Sequence, residues 1–91
     1  MESRLAHIVF STKERKRLIT PQMESRLHAY LGGIVREQGG IALKINGTED
    51  HVHVLAKTPK TVADSDFMRI LKANSSKWVH ETFPRYREFG W

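Results

Sequence analysis

The 91-residue sequence contains no cysteine, and this absence excludes a disulfide framework and any metal site built on thiolates. No apolar run approaches the roughly 20 residues of a membrane-spanning helix, and no signal peptide opens the sequence. Internal repeats, low-complexity stretches and linkers are also missing. We therefore expect a single domain over residues 1–91, located in the cytoplasm and without a membrane partner.

Acidic residues are few, with 10 Asp and Glu against 15 Lys and Arg, which gives a net charge of +5. Basic chains of this size often meet polyanions, because Lys and Arg release counterions from phosphates. Solubility alone would also explain the charge, so the charge favours a nucleic-acid partner only slightly. Because a chain this short buries one modest core, we expect a second subunit.

The spacing of apolar residues divides the chain into strands and helices. It predicts strands over residues 5–12, 41–46 and 51–57, and a helix that begins at Thr20-Pro21 and stops at Gly39-Gly40. A second helix is predicted over residues 64–81, and the start of a fourth strand over residues 89–91. This order predicts an α+β fold, a ferredoxin-like (RRM-like) antiparallel sheet with two helices on one face.

The same patterns predict which side chains are buried. On the first strand Ala6, Ile8 and Phe10 form the core side, and on the first helix Tyr30 belongs to the apolar stripe. Gly32-Gly33 within that helix indicates close packing. The stripe of the second helix is predicted to comprise Phe67, Leu71, Asn74 and Trp78, with Ile70 beside it.

Two histidines on the third predicted strand are the most informative residues. His51 and His53 alternate with Val52 and Val54, so both imidazoles point away from the core, about 7 Å apart at two strand rises. They are either two solvated histidines or a pair that holds one divalent cation. His7 would lie on the same face of the sheet. We expect it to be exposed there without a specific contact, rather than to act as a third ligand. His28 and His80 are expected to be surface residues of the helices.

A site with two histidines needs further ligands. Water and a DNA phosphate can supply them around a hard cation, so Mg²⁺ or Mn²⁺ is the expected cofactor. A structural zinc ion would require two more protein ligands. The expected DNA contacts are His7 on the open face of the sheet and the cations of the loop after the first strand, Lys13, Arg15, Lys16 and Arg17.

Three segments together resemble the HUH-type single-tyrosine transposases of small insertion sequences and their repeat-associated relatives. They are Val9-Phe10-Ser11-Thr12-Lys13 with the basic residues that follow, Ile45-Asn46-Gly47 with Asp50-His51-Val52-His53-Val54-Leu55, and Ile70-Leu71-Lys72-Ala73-Asn74-Ser75-Ser76-Lys77-Trp78. The H-hydrophobe-H motif alone is weak, whereas the three segments in this order are specific.

The resemblance implies a DNA-nicking enzyme that acts in transposition and recombination. Such proteins bind single-stranded DNA, often as a hairpin, and place a divalent cation on two histidines, here His51 and His53. A tyrosine attacks the phosphate, becomes linked to its 5′ side and releases a 3′ hydroxyl, so that rejoining needs no ATP. The resemblance also implies a homodimer.

The sequence departs from the family pattern in one respect. The family's tyrosine lies on a helix after the fourth strand, and we expect this chain to lack that helix. Tyr30 is predicted to be core and Tyr86 precedes the fourth strand, so neither is predicted to be the nucleophile. We therefore predict no catalytic residue here and no cleavage by this chain alone. The alternatives are a non-catalytic single-stranded nucleic-acid-binding module and a metal-storage or regulatory domain.

Overall fold

The computed structural model of the protein describes residues 3–91. Its strands and helices are β1 (Ser3–Ser11), α1 (Pro21–Glu37), β2 (Ile41–Gly47), β3 (His51–Pro59) and α2 (Asp64–Thr82), with a short turn at Lys13–Arg15. The predicted order is confirmed from the first strand to the second helix, and so is the α+β ferredoxin-like class. Neither helix is long and apolar enough to cross a membrane, within the residues that the structure describes.

The sheet has the strand order β1-β3-β2, and β3 is antiparallel to both neighbours. Ile8 pairs with Val54 and Val9 with His53 across the first ladder, while Asn46 pairs with His53 across the second. β3 is therefore the central strand of the sheet, and it carries the two histidines.

The core lies between one face of the sheet and the two helices. Alternation along the strands buries Ile8 and Phe10 from β1, as predicted, and Val52, Val54 and Ala56 from β3. The helices cover these residues with side chains repeated at helical spacing, chiefly Met23, Leu27, Leu31, Ile34, Val35, Phe67, Leu71 and Val79. The opposite face of the sheet, called the open face below, carries the histidines.

The predicted stripe of α2 is wrong at Asn74, which is exposed, whereas Trp78 is half-buried and packs against the core. The fully buried positions of the helix are Phe67, Leu71, Ser75 and Val79. The pattern does not identify Ser75 because a serine resembles a surface residue. Its hydroxyl is satisfied inside the core, since it donates to the Leu71 carbonyl at 2.5 Å.

Tyr30 is not a core residue, contrary to the prediction. Its side chain is 37% exposed and stacks on Trp78 of α2, with the two ring centroids 4.8 Å apart. The aromatic side chain at position 30 thus contacts another aromatic ring at the outer edge of the two helices, and not the core. Gly32 is buried, in agreement with the predicted packing, but a Cβ there would meet no atom nearer than 3.6 Å, so the packing does not require a glycine; at Gly33 the nearest atom would be 3.8 Å away.

The start of a fourth strand at residues 89–91 is not observed either. The segment is tied to the rest of the fold by a backbone hydrogen bond from the Lys13 N–H to the Gly90 carbonyl and by packing of its aromatic rings. Trp91 contacts Phe10 edge to face at 4.5 Å, and its indole N–H donates to Ser75 at 2.9 Å. The segment thus caps one side of the core without joining the sheet.

Candidate metal and nucleic-acid site

The two histidines of β3, called the histidine pair below, project from the open face as predicted. Val52 and Val54 are fully buried on the core side, so alternation directs His51 and His53 to the other side, where both are partly exposed. Their ring centroids are 4.9 Å apart, closer than the roughly 7 Å between backbone positions two residues apart on a strand. The imidazoles therefore lean towards each other, as two ligands of one cation must.

The hairpin turn between β2 and β3 holds the ring of His51 in place. His51 Nδ1 lies 2.8 Å from Asp50 Oδ1 and 2.9 Å from the Thr48 hydroxyl oxygen. A carboxylate can only accept a hydrogen bond, so Nδ1 of His51 carries the proton and its N–H donates to Asp50. Nε2 of the neutral ring then keeps a free lone pair. Metal-bound histidines in proteins usually have this kind of support, with one nitrogen bonded to a carboxylate and the other facing the metal.

The carboxyl of Asp50 is stabilised in its charged form. The hydrogen bond with His51 is the largest influence and lowers the pKa of Asp50. Burial is the second influence and raises this pKa, and the Thr48 hydroxyl and the charges of Arg15 and His51 lower it further. Because the carboxylate stays ionised near neutral pH, it remains an acceptor for the His51 ring.

His7 makes a contact that the sequence pattern did not predict. It lies on the open face of β1, exposed as predicted, but its Nε2 is 3.4 Å from Nδ1 of His53 and the two ring centroids are 5.5 Å apart. The expectation that His7 has no specific contact is therefore wrong. Within residues 3–91, no group of three or more histidine, cysteine or acidic side chains is arranged to hold a metal ion.

The donor set fits a hard divalent cation with an open coordination sphere. Two imidazoles from the protein would leave several positions for water and for an oxygen of a phosphate group. The same set does not fit a structural zinc ion, which takes four ligands from the protein. Among residues 3–91, the side chains that would hold such a cation are therefore His51 and His53.

A depression of about 500 Å³ surrounds the histidine pair on the open face. Besides the three histidines, its lining includes Lys44 and Asn46 of β2 and Thr48 of the hairpin turn. Lys44 and Asn46 flank Ile45, which packs on the core, so ordinary alternation directs both to the open face. Lys44 is absent from the predicted site although this alternation would have placed it there. The register shift between Ala42 and Lys44 acts on the start of the strand, where Ala42 packs on the core and Leu43 is exposed.

The basic loop, defined as residues 13–17, joins this site through one of its cations. Arg15 Nη2 lies 3.8 Å from Asp50 Oδ1, and both Glu14 and Arg15 adopt positive φ values, 58° and 55°. Lys13 and Lys16 instead line a separate cleft with Arg87, and Lys16 pairs with Glu14 at 3.5 Å. Arg17 is exposed. Of the four predicted DNA-binding cations, the structure thus brings Arg15 next to the histidine pair.

Neither tyrosine of the chain lies at the site. Tyr30 stacks on Trp78 between the helices, and Tyr86 packs against Phe83 in the segment after α2, with ring centroids 5.8 Å apart. Neither lines the depression around the histidine pair. That neither residue is a nucleophile stays a prediction.

The two helical histidines differ from each other. His80 is exposed, as expected, and its Nε2 lies 2.8 Å from the Phe89 carbonyl oxygen. His28 is half-buried, and its Nε2 is buried without a hydrogen-bond partner, so the expectation of a plain surface residue is wrong for His28. Burial lowers the pKa of His28, against a smaller opposing effect of the Glu24 charge.

Comparison with known proteins adds independent information. Residues 2–91 match the model of a family described as "Transposase IS200 like". The ISDra2 transposase TnpA of Deinococcus radiodurans is 25% identical over 85 residues, which cover 93% of this chain and 61% of that protein. The transposase for insertion sequence element IS200 of Salmonella typhimurium is 29% identical over 77 residues, which cover 85% of this chain and 51% of that protein.

A solved structure shares the fold. The crystal structure of a provisionally assigned transposase from Deinococcus radiodurans superposes with a TM-score of 0.89 at 21% identity, and the match covers 100% of this chain and 74% of that one. The chain therefore spans between about half and three fifths of the two curated relatives described above.

Proposed function

The chain belongs to the IS200-like transposase family, and on this basis we propose that it binds single-stranded DNA and serves in metal-dependent cleavage and rejoining of a DNA strand. The observation that carries the proposal is the histidine pair, since His51 Nδ1 is engaged by Asp50 and its Nε2 is free on the open face. A divalent cation bound there would polarise the scissile phosphate.

The residues around the histidine pair support the handling of a DNA strand. Lys44 lines the same depression and can meet a phosphate oxygen, while the side chain of Asn46 can donate to a phosphate or to a base. Arg15 lies next to Asp50 at the rim and extends the positive surface towards the basic loop. A strand that crosses the open face would therefore meet cations on both sides of the histidine pair.

The proposed chemistry needs a nucleophile from outside these 91 residues. A tyrosine hydroxyl would attack the phosphorus, form a 5′-phosphotyrosine bond and release the 3′ hydroxyl, and attack by a 3′ hydroxyl would later restore the phosphodiester. Tyr30 and Tyr86 both lie away from the histidine pair, so this chain contributes the cation-holding part of the site. We also propose a homodimer with a hairpin DNA ligand.

The non-catalytic single-strand-binding module is the weaker candidate. An RRM-like sheet binds bases by stacking them on aromatic residues of its open face. Here the exposed large hydrophobic side chains of β1 are Leu5 and Val9, neither of them aromatic, and the central strand presents His51 and His53 to that face. Two histidines on one strand are better suited to binding a cation than to stacking on DNA bases.

A titration with Mn²⁺ tests the proposed function together with DNA binding. The wild type should bind Mn²⁺, and His51→Ala and His53→Ala should each lose most of that affinity, whereas His80→Ala, an exposed histidine of α2, should bind as the wild type does. A fluorescent hairpin oligonucleotide should bind more tightly than a duplex of the same sequence. Equal Mn²⁺ affinity in all four proteins would remove the histidine pair from the site.

A further inference from the structure

His7 and His53 face each other across the ladder between β1 and β3. His7 pairs with Leu55 and Val9 with His53, so the two imidazoles are diagonal neighbours on the open face. Their closest nitrogens, His7 Nε2 and His53 Nδ1, are 3.4 Å apart. A hydrogen bond across this distance needs one nitrogen to donate and the other to accept.

The direction of that bond decides whether His53 is ready to bind a cation. If Nδ1 of His53 donates to His7, its Nε2 is left with a free lone pair that points away from His7. If Nδ1 of His53 accepts instead, the proton of the neutral ring sits on Nε2 and blocks it. His51 already has the first arrangement, because the carboxylate of Asp50 fixes its proton on Nδ1.

We propose that His7 is a positioning residue that accepts a hydrogen bond from Nδ1 of His53 and so presents Nε2 of that ring to the cation. This inference rests on the proposed function, since it assigns His53 as a ligand. His7 would then do for His53 what Asp50 does for His51. Each histidine of the pair has its Nδ1 engaged from a different direction, one by the hairpin turn and one by β1.

Two other roles for His7 fit the structure less well. A third ligand would have to turn its nitrogens towards the cation, yet its Nε2 faces His53, and within residues 3–91 no three such groups form a metal cluster. A role in DNA contact alone would not explain why the ring of His7 lies against the ring of His53. The contact with His53 is the interaction of His7 that the geometry supports.

The test measures the tautomer of His53 without any metal. Long-range ¹H–¹⁵N correlation spectra of the metal-free protein identify the protonated nitrogen of each neutral imidazole. We expect Nδ1–H for His53 in the wild type and a shift towards Nε2–H in His7→Leu. His7→Gln, whose side-chain oxygen can accept in place of Nε2, should restore Nδ1–H. Val9→Ala changes the residue directly opposite His53 but removes no nitrogen, and should leave the tautomer unchanged.

A second measurement gives the consequence for cation binding. His7→Leu should weaken Mn²⁺ binding by roughly 10-fold or more, the effect typical of removing a hydrogen-bond partner from a metal ligand, and His7→Gln should recover most of it. His7 is exposed on its strand, so dispersed amide spectra should show that both variants fold.

The outcomes separate this inference from the proposed function. An Nδ1–H tautomer that His7→Leu abolishes supports the hydrogen bond from His53 to His7 even if the wild type binds no Mn²⁺; in that case the proposed function fails, and with it the role of this bond in cation binding. An Nε2–H tautomer of His53 in the wild type overturns the inference. So does an unchanged Mn²⁺ affinity in His7→Leu when His53→Ala binds Mn²⁺ poorly.

Discussion

Gly47 packs so closely against the carbonyl oxygen of His51 that no Cβ fits between them. The two residues close the hairpin between β2 and β3, where the Thr48 N–H donates to the same carbonyl at 3.0 Å. A glycine at this position is therefore a requirement of the turn that supports the histidine pair.

Replacement of Gly47 by alanine should destabilise the fold and disturb the site. We expect Gly47→Ala to lower the free energy of unfolding by about 1–3 kcal/mol, because the added methyl group must displace backbone. The matched control is Gly33→Ala in α1, where a Cβ would meet no atom nearer than 3.8 Å, and which should stabilise by roughly 0.5–1 kcal/mol. Urea denaturation measures both, and equal midpoints for Gly47→Ala and the wild type would contradict this expectation.

Loss of the Asp50 carboxylate should weaken cation binding although Asp50 is not itself a proposed ligand. Asp50→Ala removes the acceptor that fixes the His51 proton on Nδ1, and we expect Mn²⁺ affinity to fall about 10- to 100-fold. Glu49→Ala removes the same charge one residue away and is the control. Isothermal titration calorimetry measures the Mn²⁺ affinity of both variants. A similar small loss of affinity in both would show that Asp50 acts only through its negative charge.

The basic loop should contribute to DNA affinity through its charge. The slope of log affinity against log salt for a single strand falls by about 0.7 for every phosphate that the protein no longer neutralises. Replacing Lys13, Arg15, Lys16 and Arg17 together by neutral residues should therefore flatten the slope measured by fluorescence anisotropy. The control neutralises four cations of the helices, Arg36, Arg69, Lys72 and Lys77. A flatter slope in the control than in the loop variant would place the DNA on the helical side.

His28 should make the fold sensitive to mild acid. Burial lowers the pKa of His28 in the folded state below the ordinary value of about 6.5, so the folded state favours the neutral ring. The contribution of His28 to the free energy of unfolding is complete at a pH above the ordinary pKa. It is lost as the pH falls through the lower pKa of the folded state. Urea midpoints should thus drop less between pH 7.5 and pH 5 in His28→Gln than in the wild type. Parallel drops would exclude His28 as the cause.

The 91-residue chain should form no covalent adduct with DNA. Neither Tyr30 nor Tyr86 lines the depression that holds the histidine pair, and a second copy of the chain offers the same two residues. Labelled hairpin DNA incubated with the protein and Mn²⁺ should migrate unchanged on a denaturing gel. A slow-migrating adduct that disappears in Tyr86→Phe would identify that residue as the nucleophile.

The placement of the histidine pair could be predicted from sequence because it depends on local alternation. Val52 and Val54 fix which side of the strand is buried, and the histidines follow on the other side whatever the neighbouring strands do. The supporting contacts could not be predicted in the same way. The contact between His7 and His53 depends on the register of β1 with β3, and that of Asp50 with His51 depends on the shape of the hairpin turn.

The errors in the helices have a common cause. The polarity of a single residue does not decide its burial. Ser75 can be buried because its hydroxyl donates a hydrogen bond to the Leu71 carbonyl, and Tyr30 can be exposed because its ring stacks on Trp78. Such pairings depend on neighbours that a helical repeat does not identify. The metal, the DNA contacts and the dimer stay predictions.

The central position of β3 has a consequence for the thermodynamics of the site. Because His53 lies on a strand that is hydrogen-bonded on both sides, its backbone is among the last parts of the sheet to open by local fluctuation. The backbone of the histidine pair is therefore arranged before the proposed cation would bind, and its rings already contact Asp50 and His7. A site of this kind loses little conformational entropy on binding, in contrast to metal sites whose ligands come together only as the chain folds around the ion.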